Sequence, residues 1–213
     1  MEFLDLSPYE YRKFPLPMRS VGWLGRRFGV QGGGAQNVTV ADMQRFKGAS
    51  RRLGSVTLGT HECEFCPADL PFEGNGEYRY YCRSGEVYAA PSMILHYVDE
   101  HGYCPPREFL ESLHKIDQLD WDWRAERLIA ILRDDSEDFD FRCEAIIDLV
   151  HWKDPRVLRV LTDSVKDEEL VDIAGDEIGR SLGILVACGF AGDLRVESLP
   201  GIVKLGFEQI VRK

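Results

Sequence analysis

Two short clusters of cysteine and histidine in the first half of the chain have the residue types and spacing of a metal site. In GTHECEFCPADLP, Cys63 and Cys66 form a C-x-x-C step, and HYVDEHGYCPP carries His96 and His101. Zn²⁺ favours thiolate and imidazole ligands in a tetrahedron, and two sequence-close pairs can each fill two of its corners. The sequence therefore predicts one Zn²⁺ bound by Cys63, Cys66, His96 and His101.

Other roles for these residues stay open at the level of sequence. The two cysteines could be unligated thiols or a redox pair, and the two histidines could be a buried core residue and a polar helix end. His61 and Cys104 lie close enough in the sequence to replace one of the four ligands. On a helix, His96 and His101 would lie about 140° apart around the axis, so a shared ion needs a tightened or unwound last turn, which Gly102 makes easy.

The ligand set indicates a structural ion rather than a catalytic one. A hydrolytic zinc keeps one position open for water and usually has a carboxylate base beside it. Two cysteines and two histidines fill all four corners, and neither HExxH nor the deaminase pattern H-x-E…P-C-x-x-C occurs. We find no nucleophile–base set and no cofactor fingerprint, so we expect a protein that is not an enzyme. A zinc hydrolase that uses His61 and a different set of ligands stays open as an alternative function.

The elements that must hold these residues are a hairpin and a helix. EYRYYC and EVYAA are aromatic and β-branched stretches separated by RSG, which predicts a β-hairpin over 77–90. Pro91 then favours the start of a helix, SMILHYVDEH, with Gly102 as its stop. The C-x-x-C turn, the hairpin and the helix, in this order, resemble an enlarged ββα zinc finger. The gap of 29 residues between Cys66 and His96 departs from the short fingers and argues against a role in reading DNA.

In the second half of the chain the sequence predicts helices. Four stretches place apolar residues at i, i+3, i+4 and i+7: RAERLIAILRDD, FRCEAIIDLVHW, DPRVLRVLTDSVKD and ELVDIAGDEIGRSLGILVACG. A shift of about 33 places lays Leu128 on Leu161 and Leu149 on Leu182. This half resembles HEAT-like repeats over roughly 122–190, and SLPGIVKLGFEQIVRK is predicted to be a capping helix.

Charge divides the chain in the same place. Residues 1–116 carry 13 Lys and Arg against 14 Asp and Glu, whereas residues 117–213 carry 13 against 22. The sequence predicts an α+β fold of two domains: a zinc-stapled ββα-like module over 1–116 and a short all-α, HEAT-like solenoid over 117–213. No apolar run approaches the roughly 20 residues that span a bilayer, the N-terminus lacks the basic and apolar regions of a signal peptide, and six cysteines are too sparse for a disulfide scaffold. We therefore expect a cytoplasmic protein.

The acidic turns of the helical half are the predicted partner surface. Stacked along one edge of a solenoid, they would form a negative surface that attracts a basic protein by electrostatic steering, with Trp121 as an aromatic anchor. Solvated turns between helices explain much of this acidity without any partner. The predicted contact residues are Trp121, Asp122, Asp134, Asp135, Glu137, Asp138, Asp140, Asp167, Glu168 and Glu169.

Two resemblances bear on function. The helical half, from LIAILRDD through DEIGRSLGIL, is similar to small acidic helical-repeat immunity proteins that neutralise toxic nucleases. That resemblance implies a non-catalytic protein that occludes a basic toxin, with acidic side chains in place of phosphate groups. The HYVDEHGYCPP motif also resembles that of an uncharacterised bacterial zinc-containing family.

The alternative is a nucleic-acid-binding regulator that uses the basic N-terminal segment. Residues 1–60 carry nine basic and four acidic side chains, and over 19–52 the basic ones alternate with aromatic rings. The same patch could instead dock against the acidic half of the chain. GVQGGGAQ (29–36) lacks the G-K-[ST] ending of a phosphate loop and is predicted to be a flexible loop.

Overall fold

The chain divides into two units, Met1–Asp117 and Gln118–Lys213. The computed structural model describes residues 2–30, 39–57, 59–116 and 119–212. Most of the glycine-rich stretch 29–36, predicted to be a loop, lies outside the described residues. The chain has a mixed α+β architecture, with small sheets in the first unit and helices in the second. Within the described ranges, no helix is both long and apolar enough to cross a bilayer.

The described residues form five strands, all in the first unit: β1 (Arg19–Ser20), β2 (His61–Glu62), β3 (Glu73–Gly74), β4 (Glu77–Tyr81) and β5 (Val87–Pro91). Three of them make a sheet in the order β1-β5-β4, where β1 runs parallel to β5. The antiparallel pairing of β4 with β5 confirms the predicted hairpin. Gly85, with a φ of 105°, supplies the turn conformation that side chains disfavour. β2 and β3 form a separate two-stranded ladder.

Three α-helices complete the first unit as described: α1 (Val40–Ala49), α2 (Ile94–His101) and α3 (Arg107–Ser112). α1 begins with a capping box, in which Thr39 Oγ1 accepts the Asp42 amide and the Asp42 carboxylate accepts the Thr39 amide. α2 follows β5 directly and ends at Gly102, whose φ of 66° is a left-handed cap that glycine adopts easily. Gly102 therefore ends α2 as predicted, but the predicted start at Pro91 is wrong, because Pro91 is the last residue of β5 and pairs with Glu77 of β4.

The core of the first unit is aromatic. Phe109 is fully buried, and its ring meets Phe46, Tyr80 and Tyr88 nearly edge-on at centroid distances of 5.8, 5.0 and 5.2 Å. Such pairs contribute about 0.5–1.5 kcal/mol beyond the burial of their area. Cys63 belongs to the same buried cluster, so the C-x-x-C step is attached to the core rather than to a surface loop.

Five α-helices make up the second unit as described: α4 (Trp123–Arg133), α5 (Phe139–Asp148), α6 (Pro155–Ser164), α7 (Glu168–Ala187) and α8 (Gly201–Val211). α4 packs against α5, α6 packs against α7, and α7 contacts both α5 and α8. These helices confirm the four predicted amphipathic segments and the helix near the C-terminus. Their interpretation as a HEAT-like solenoid stays a prediction.

α7 and α8 approach each other so closely that glycine is required where they cross. A Cβ at Gly179 would lie 1.9 Å from the carbonyl oxygen of Val203, and a Cβ at Gly206 would lie 2.0 Å from that of Asp176. Non-bonded carbon and oxygen atoms do not approach so closely, and neither oxygen can rotate away because each belongs to a helix backbone. Glycine is needed here for space rather than for conformation.

Substituting Gly179 with alanine is expected to lower the free energy of unfolding by about 1–3 kcal/mol, because the added methyl group must separate α7 from α8. Urea denaturation followed by circular dichroism measures the change. Gly201→Ala is the matched control, since a Cβ at that position meets nothing within 4 Å. Its effect is expected to stay within about 0.5 kcal/mol. Equal losses in the two variants would contradict the close-packing account.

Candidate metal centre and acidic helix ends

The β2–β3 ladder and α2 bring the four predicted ligands together. Cys63 follows β2, and its amide donates to the Phe72 carbonyl at 2.8 Å, which holds the start of the C-x-x-C step beside the returning strand. His96 lies in the first turn of α2, and His101 is the last residue of that helix. Cys63 is buried and the other three residues are partly buried.

The distances between the ligand atoms are close to those of a tetrahedral site. Cys63 Sγ lies 3.2 Å from His101 Nε2, and Cys66 Sγ lies 3.2 Å from His96 Nε2 and 3.5 Å from His101 Nε2. The two Nε2 atoms are 3.1 Å apart, and all four atoms lie within 4.8 Å of one another. Zn–S bonds of about 2.3 Å and Zn–N bonds of about 2.0–2.1 Å place tetrahedral ligand atoms roughly 3.3–3.8 Å apart. The four side chains are therefore close enough to bind one metal ion.

The helix does not unwind to bring the two histidines together. α2 remains helical through His101, and the left-handed conformation begins only at Gly102. The prediction that the last turn of α2 is tightened or unwound is therefore wrong. The physical reason is that His101 is the terminal residue, so its long side chain can reach around the end of the helix to His96.

Aromatic rings surround the two imidazoles. Phe72 stacks on His96 with ring centroids 3.9 Å apart and planes within 5° of parallel. Phe65 lies 5.6 Å from His101 and meets Tyr97 edge-on at 6.0 Å. Packing of this kind limits rotation of the imidazoles, so both Nε2 atoms stay directed at the cysteine sulfurs.

Opposing effects act on the Cys63 thiol. Burial, the largest of them, raises its pKa above the ordinary value, whereas hydrogen bonds from the backbone amides of Phe65 and Cys66 lower it. Amides that donate to the first sulfur of a C-x-x-C turn stabilise a thiolate, and a bound cation would stabilise it further. Burial outweighs these amides, so the pKa of Cys63 stays raised and its thiolate would depend on a bound cation.

The two residues that could have replaced a predicted ligand, His61 and Cys104, lie outside this cluster. His61 stands on β2, where its ring faces Tyr11 at 6.5 Å. Cys104 follows α2, and its Sγ contacts the Pro105 carbonyl at 3.8 Å. Across the ranges that the structure describes, Cys63, Cys66, His96 and His101 are the one group of three or more metal-ligating side chains close enough to share an ion.

Three of the predicted partner-binding acids start helices. Asp122, Asp138 and Asp167 cap α4, α5 and α7, and each carboxylate accepts a backbone amide of the first turn. Asp122 also accepts two N–H groups of the Arg124 guanidinium, at 3.0 and 2.6 Å. An aspartate cap stabilises a helix by about 0.5–2 kcal/mol, so the presence of these three residues is explained by folding.

Other predicted acids have partners within their own unit. The guanidinium of Arg142 is almost fully buried and lies 2.6 Å from Asp167 and 3.0 Å from Asp135. Asp134 accepts the amide and the hydroxyl of Ser136, at 2.9 and 2.6 Å. The ion pairs with Arg142 reduce the negative charge that the two turns can offer to another molecule, whereas the hydrogen bonds from Ser136 only hold the Asp134 carboxylate in place.

The remaining predicted acids differ in whether their carboxylates have partners within the second unit. Glu137 lies 3.7 Å from Arg127 in a loose ion pair. Asp140, Glu168 and Glu169 are exposed, and their carboxylates have no ion pair or hydrogen bond within the described part of the chain. These three acids are therefore the members of the predicted surface that are most available to a partner.

The predicted aromatic anchor already has partners. The indole Nε1 of Trp121 donates to Glu126 at 2.6 Å, and the Arg156 guanidinium lies over its ring at 3.6 Å. Trp123, two residues further on, is 56% exposed and was not among the predicted contacts. The pattern of the sequence does not separate the two tryptophans, because their difference depends on contacts in the folded chain: Trp121 precedes α4 and meets Glu126 and Arg156, whereas Trp123 is the first residue of α4.

Several basic side chains of the segment 19–52 also have acidic partners. Arg19 contacts Glu108, Arg45 lies 2.7 Å from Asp42, and Lys47 lies 2.9 Å from Asp99. These pairs neutralise positive charge that a nucleic acid would need.

Comparison with known proteins places the first unit in a family. The family described as Domain of unknown function (DUF7919) matches residues 1–114, and the match includes the hairpin, α2 and all four candidate ligands. Since the match covers more than half of the 213 residues, the chain belongs to this family. No curated protein and no solved structure matches the chain.

The capping aspartates predict a helical unit that is sensitive to acid. Hydrogen bonds from Arg156 are the largest effect that holds the pKa of Asp154, the cap of α6, below its ordinary value. Asp167 also has a lowered pKa. Its burial raises the pKa, but hydrogen bonds from Leu170 and Arg142 together outweigh that effect. A carboxyl group whose pKa is lowered by folding stabilises the fold above its ordinary pKa of about 3.9, and this contribution is lost as the pH falls further.

We therefore expect the midpoint temperature of thermal unfolding to fall steeply below about pH 4. The helical signal in circular dichroism measures this midpoint. Asp154→Asn removes one titrating cap and should give a shallower decline. Asp193→Asn, a change at an exposed aspartate that starts no helix, is the control and should follow the parent chain. A decline in Asp154→Asn as steep as that of the parent would count against the capping account.

Proposed function

We propose that this chain is a non-catalytic binding protein in which one structural Zn²⁺ holds the first unit together and the second unit binds a basic protein. The convergence of Cys63, Cys66, His96 and His101 on one point carries the proposal. Two thiolates and two imidazoles suit Zn²⁺, whereas Mg²⁺ and Ca²⁺ prefer oxygen ligands. Four protein ligands leave no position for a reacting water, so the ion would serve folding rather than chemistry.

The elements around the site explain why the first unit would need an ion. β2 and β3 are two residues long, and a ladder of that length is weak on its own. A metal bound by the C-x-x-C step and by both ends of α2 would tie this ladder to the helix. Because such a site is not assembled in the unfolded chain, its binding free energy would contribute directly to folding.

The purified protein is expected to carry one Zn²⁺ per chain, and Cys66→Ser is expected to lose the ion and to unfold at a lower temperature. Metal analysis and thermal denaturation measure the two effects, and Co²⁺ substitution should give the visible absorption bands of a tetrahedral site. Cys104→Ser is the control, because that thiol lies outside the cluster and its loss should leave both metal content and midpoint unchanged. Zinc well below one per chain, or a Cys66→Ser protein as stable as its parent, would overturn the structural ion.

The partner surface is proposed at the acidic helix ends of the second unit. Residues 117–213 carry 13 basic and 22 acidic side chains, so this half attracts positive charge at a distance. Asp140, Glu168 and Glu169 are exposed, and Trp123 offers an open aromatic ring. A basic toxin, such as a nuclease, is the class of partner implied by the resemblance to immunity proteins. Occlusion would then be the mechanism, with carboxylates in the places that phosphates would take.

The test uses the full chain and the basic protein encoded by an adjacent gene, with affinity measured by calorimetry. The triple variant Asp140→Asn, Glu168→Gln, Glu169→Gln is expected to bind about threefold to a hundredfold more weakly, since each exposed pair contributes a few tenths to 1 kcal/mol. The control carries Asp193→Asn and Glu197→Gln, which remove exposed acids away from these helix ends. Absence of binding to any adjacent gene product, or equal losses in the two variants, would contradict the proposal.

The protein partner is favoured over the nucleic-acid alternative here because Arg19, Arg45 and Lys47 of the basic segment are paired with acids. Titration of the full chain with generic duplex DNA separates the two functions. Binding that weakens steeply with salt would favour the regulator, and an absence of binding at low salt would favour the protein partner.

A further inference from the structure

A cleft in the first unit has a lining that the metal centre does not explain. It lies between the N-terminal segment, the β2–β3 ladder and the beginning of α2, and it encloses about 70 Å³. The residues that line it include Tyr11, Trp23, Thr57, Glu62 and Glu64, and none of the four candidate metal ligands is among them. Any ligand of this cleft would therefore be recognised by the protein surface rather than by the metal ion.

The charge of the lining is negative. Glu62 and Glu64 line the cleft, whereas no lysine or arginine does so among the described residues. Glu64 accepts the backbone amide of Arg26 at 2.8 Å, which fixes the position of its carboxylate. Glu62 stands on β2, opposite Glu73 in the ladder, and a second carboxylate there adds to the negative potential. Such a lining repels anions and favours a cation.

Two aromatic rings form a corner of the cleft. The rings of Tyr11 and Trp23 have centroids 5.2 Å apart and are inclined at 55°. The indole N–H of Trp23 is already bound to the Ala89 carbonyl at 2.9 Å, so the part of this buried ring that borders the cleft presents aromatic carbon rather than a hydrogen-bond donor. The faces of tryptophan and tyrosine attract ammonium and guanidinium groups, most strongly where water is excluded.

A buried hydroxyl lacks a partner at the same place. Thr57 Oγ1 is shielded from solvent and makes no hydrogen bond within the described part of the chain. Leaving a buried hydroxyl unsatisfied is unfavourable, and an N–H donor on a ligand would satisfy it. The aromatic corner, the two carboxylates and this hydroxyl all favour the same kind of ligand.

We propose that this cleft binds the end of an organic cation, an ammonium or guanidinium group carried on an aliphatic chain. A buried water needs about 10–15 Å³ of such space, so the cleft has room for about five waters. That volume suits the end of one lysine or arginine side chain and is too small for a nucleotide. The cation belongs either to a side chain of a polypeptide or to a free amine. The site lies in the first unit and does not rest on the partner surface proposed for the second.

The test is an NMR titration of the full chain that follows the Trp23 indole N–H signal. The probes are N-acetyl-lysine amide and N-acetyl-arginine amide, with N-acetyl-norleucine amide as the neutral control and n-butylammonium as the free amine. Saturable shifts are expected with at least one cationic amide and none with norleucine amide. Tighter binding of the amide identifies a polypeptide side chain as the ligand, and binding of n-butylammonium at least as tight identifies a free amine.

Glu62→Gln is expected to weaken the affinity for the cationic probe at least about fivefold, because a charge-assisted hydrogen bond becomes a neutral one. Glu62 is exposed, so this conservative change leaves folding intact. Glu10→Gln, which removes an exposed carboxylate next to Tyr11 but outside the lining, should leave the affinity unchanged. No shift with any cationic probe, an equal response to norleucine amide, or unaltered affinity in Glu62→Gln would overturn the proposal.

Discussion

The meeting of two thiols and two imidazoles joins the β2–β3 ladder of the first unit to α2. Cys63 lies in the aromatic core, whereas His101 lies at the far end of α2, and their side chains meet at 3.2 Å. Without a cation, the two Nε2 atoms would face each other at 3.1 Å. A neutral imidazole has one N–H, so at most one hydrogen bond could join them. A divalent ion with two thiolates and two neutral imidazoles has no net charge, so it can sit beside an apolar core without the cost of a buried charge.

The ligand types and their approximate grouping could be predicted from sequence, because metal preference depends on the kind of side chain and on short spacings. The hairpin and the end of the helix could also be predicted, from the aromatic strands and from Gly102, whereas Pro91 ends β5 instead of starting α2. The reach of His101 around the helix end could not, since it depends on a side-chain conformation in the folded chain. The cleft could not be predicted either, because Tyr11, Thr57 and Glu62 come from separate segments and form no local pattern.

The shift of about 33 places that predicts a repeat does not align the boundaries of the helices in the second unit. Leu128 and Leu161 are both fully buried, which agrees with the shift of about 33 places. The caps of α4 and α6 are 32 residues apart, however, and the caps of α5 and α7 are 29 apart. The difference arises because the turn between α4 and α5 is longer than the turn between α6 and α7. Asp134 therefore follows a helix, whereas Asp167, which the shift places on it, starts one.

This distinction changes what the acidic composition means. A carboxylate that caps a helix or binds Arg142 is committed to folding, and only exposed acids such as Glu168 and Glu169 can act on a partner. Exposed charges are screened over about 8 Å at physiological salt, so they accelerate encounter more than they strengthen a complex. A cation held between aromatic rings and a carboxylate is screened much less and is recognised by shape as well as by charge. If both proposals hold, the cleft would supply specific recognition, whereas the acidic helix ends would supply attraction at longer range.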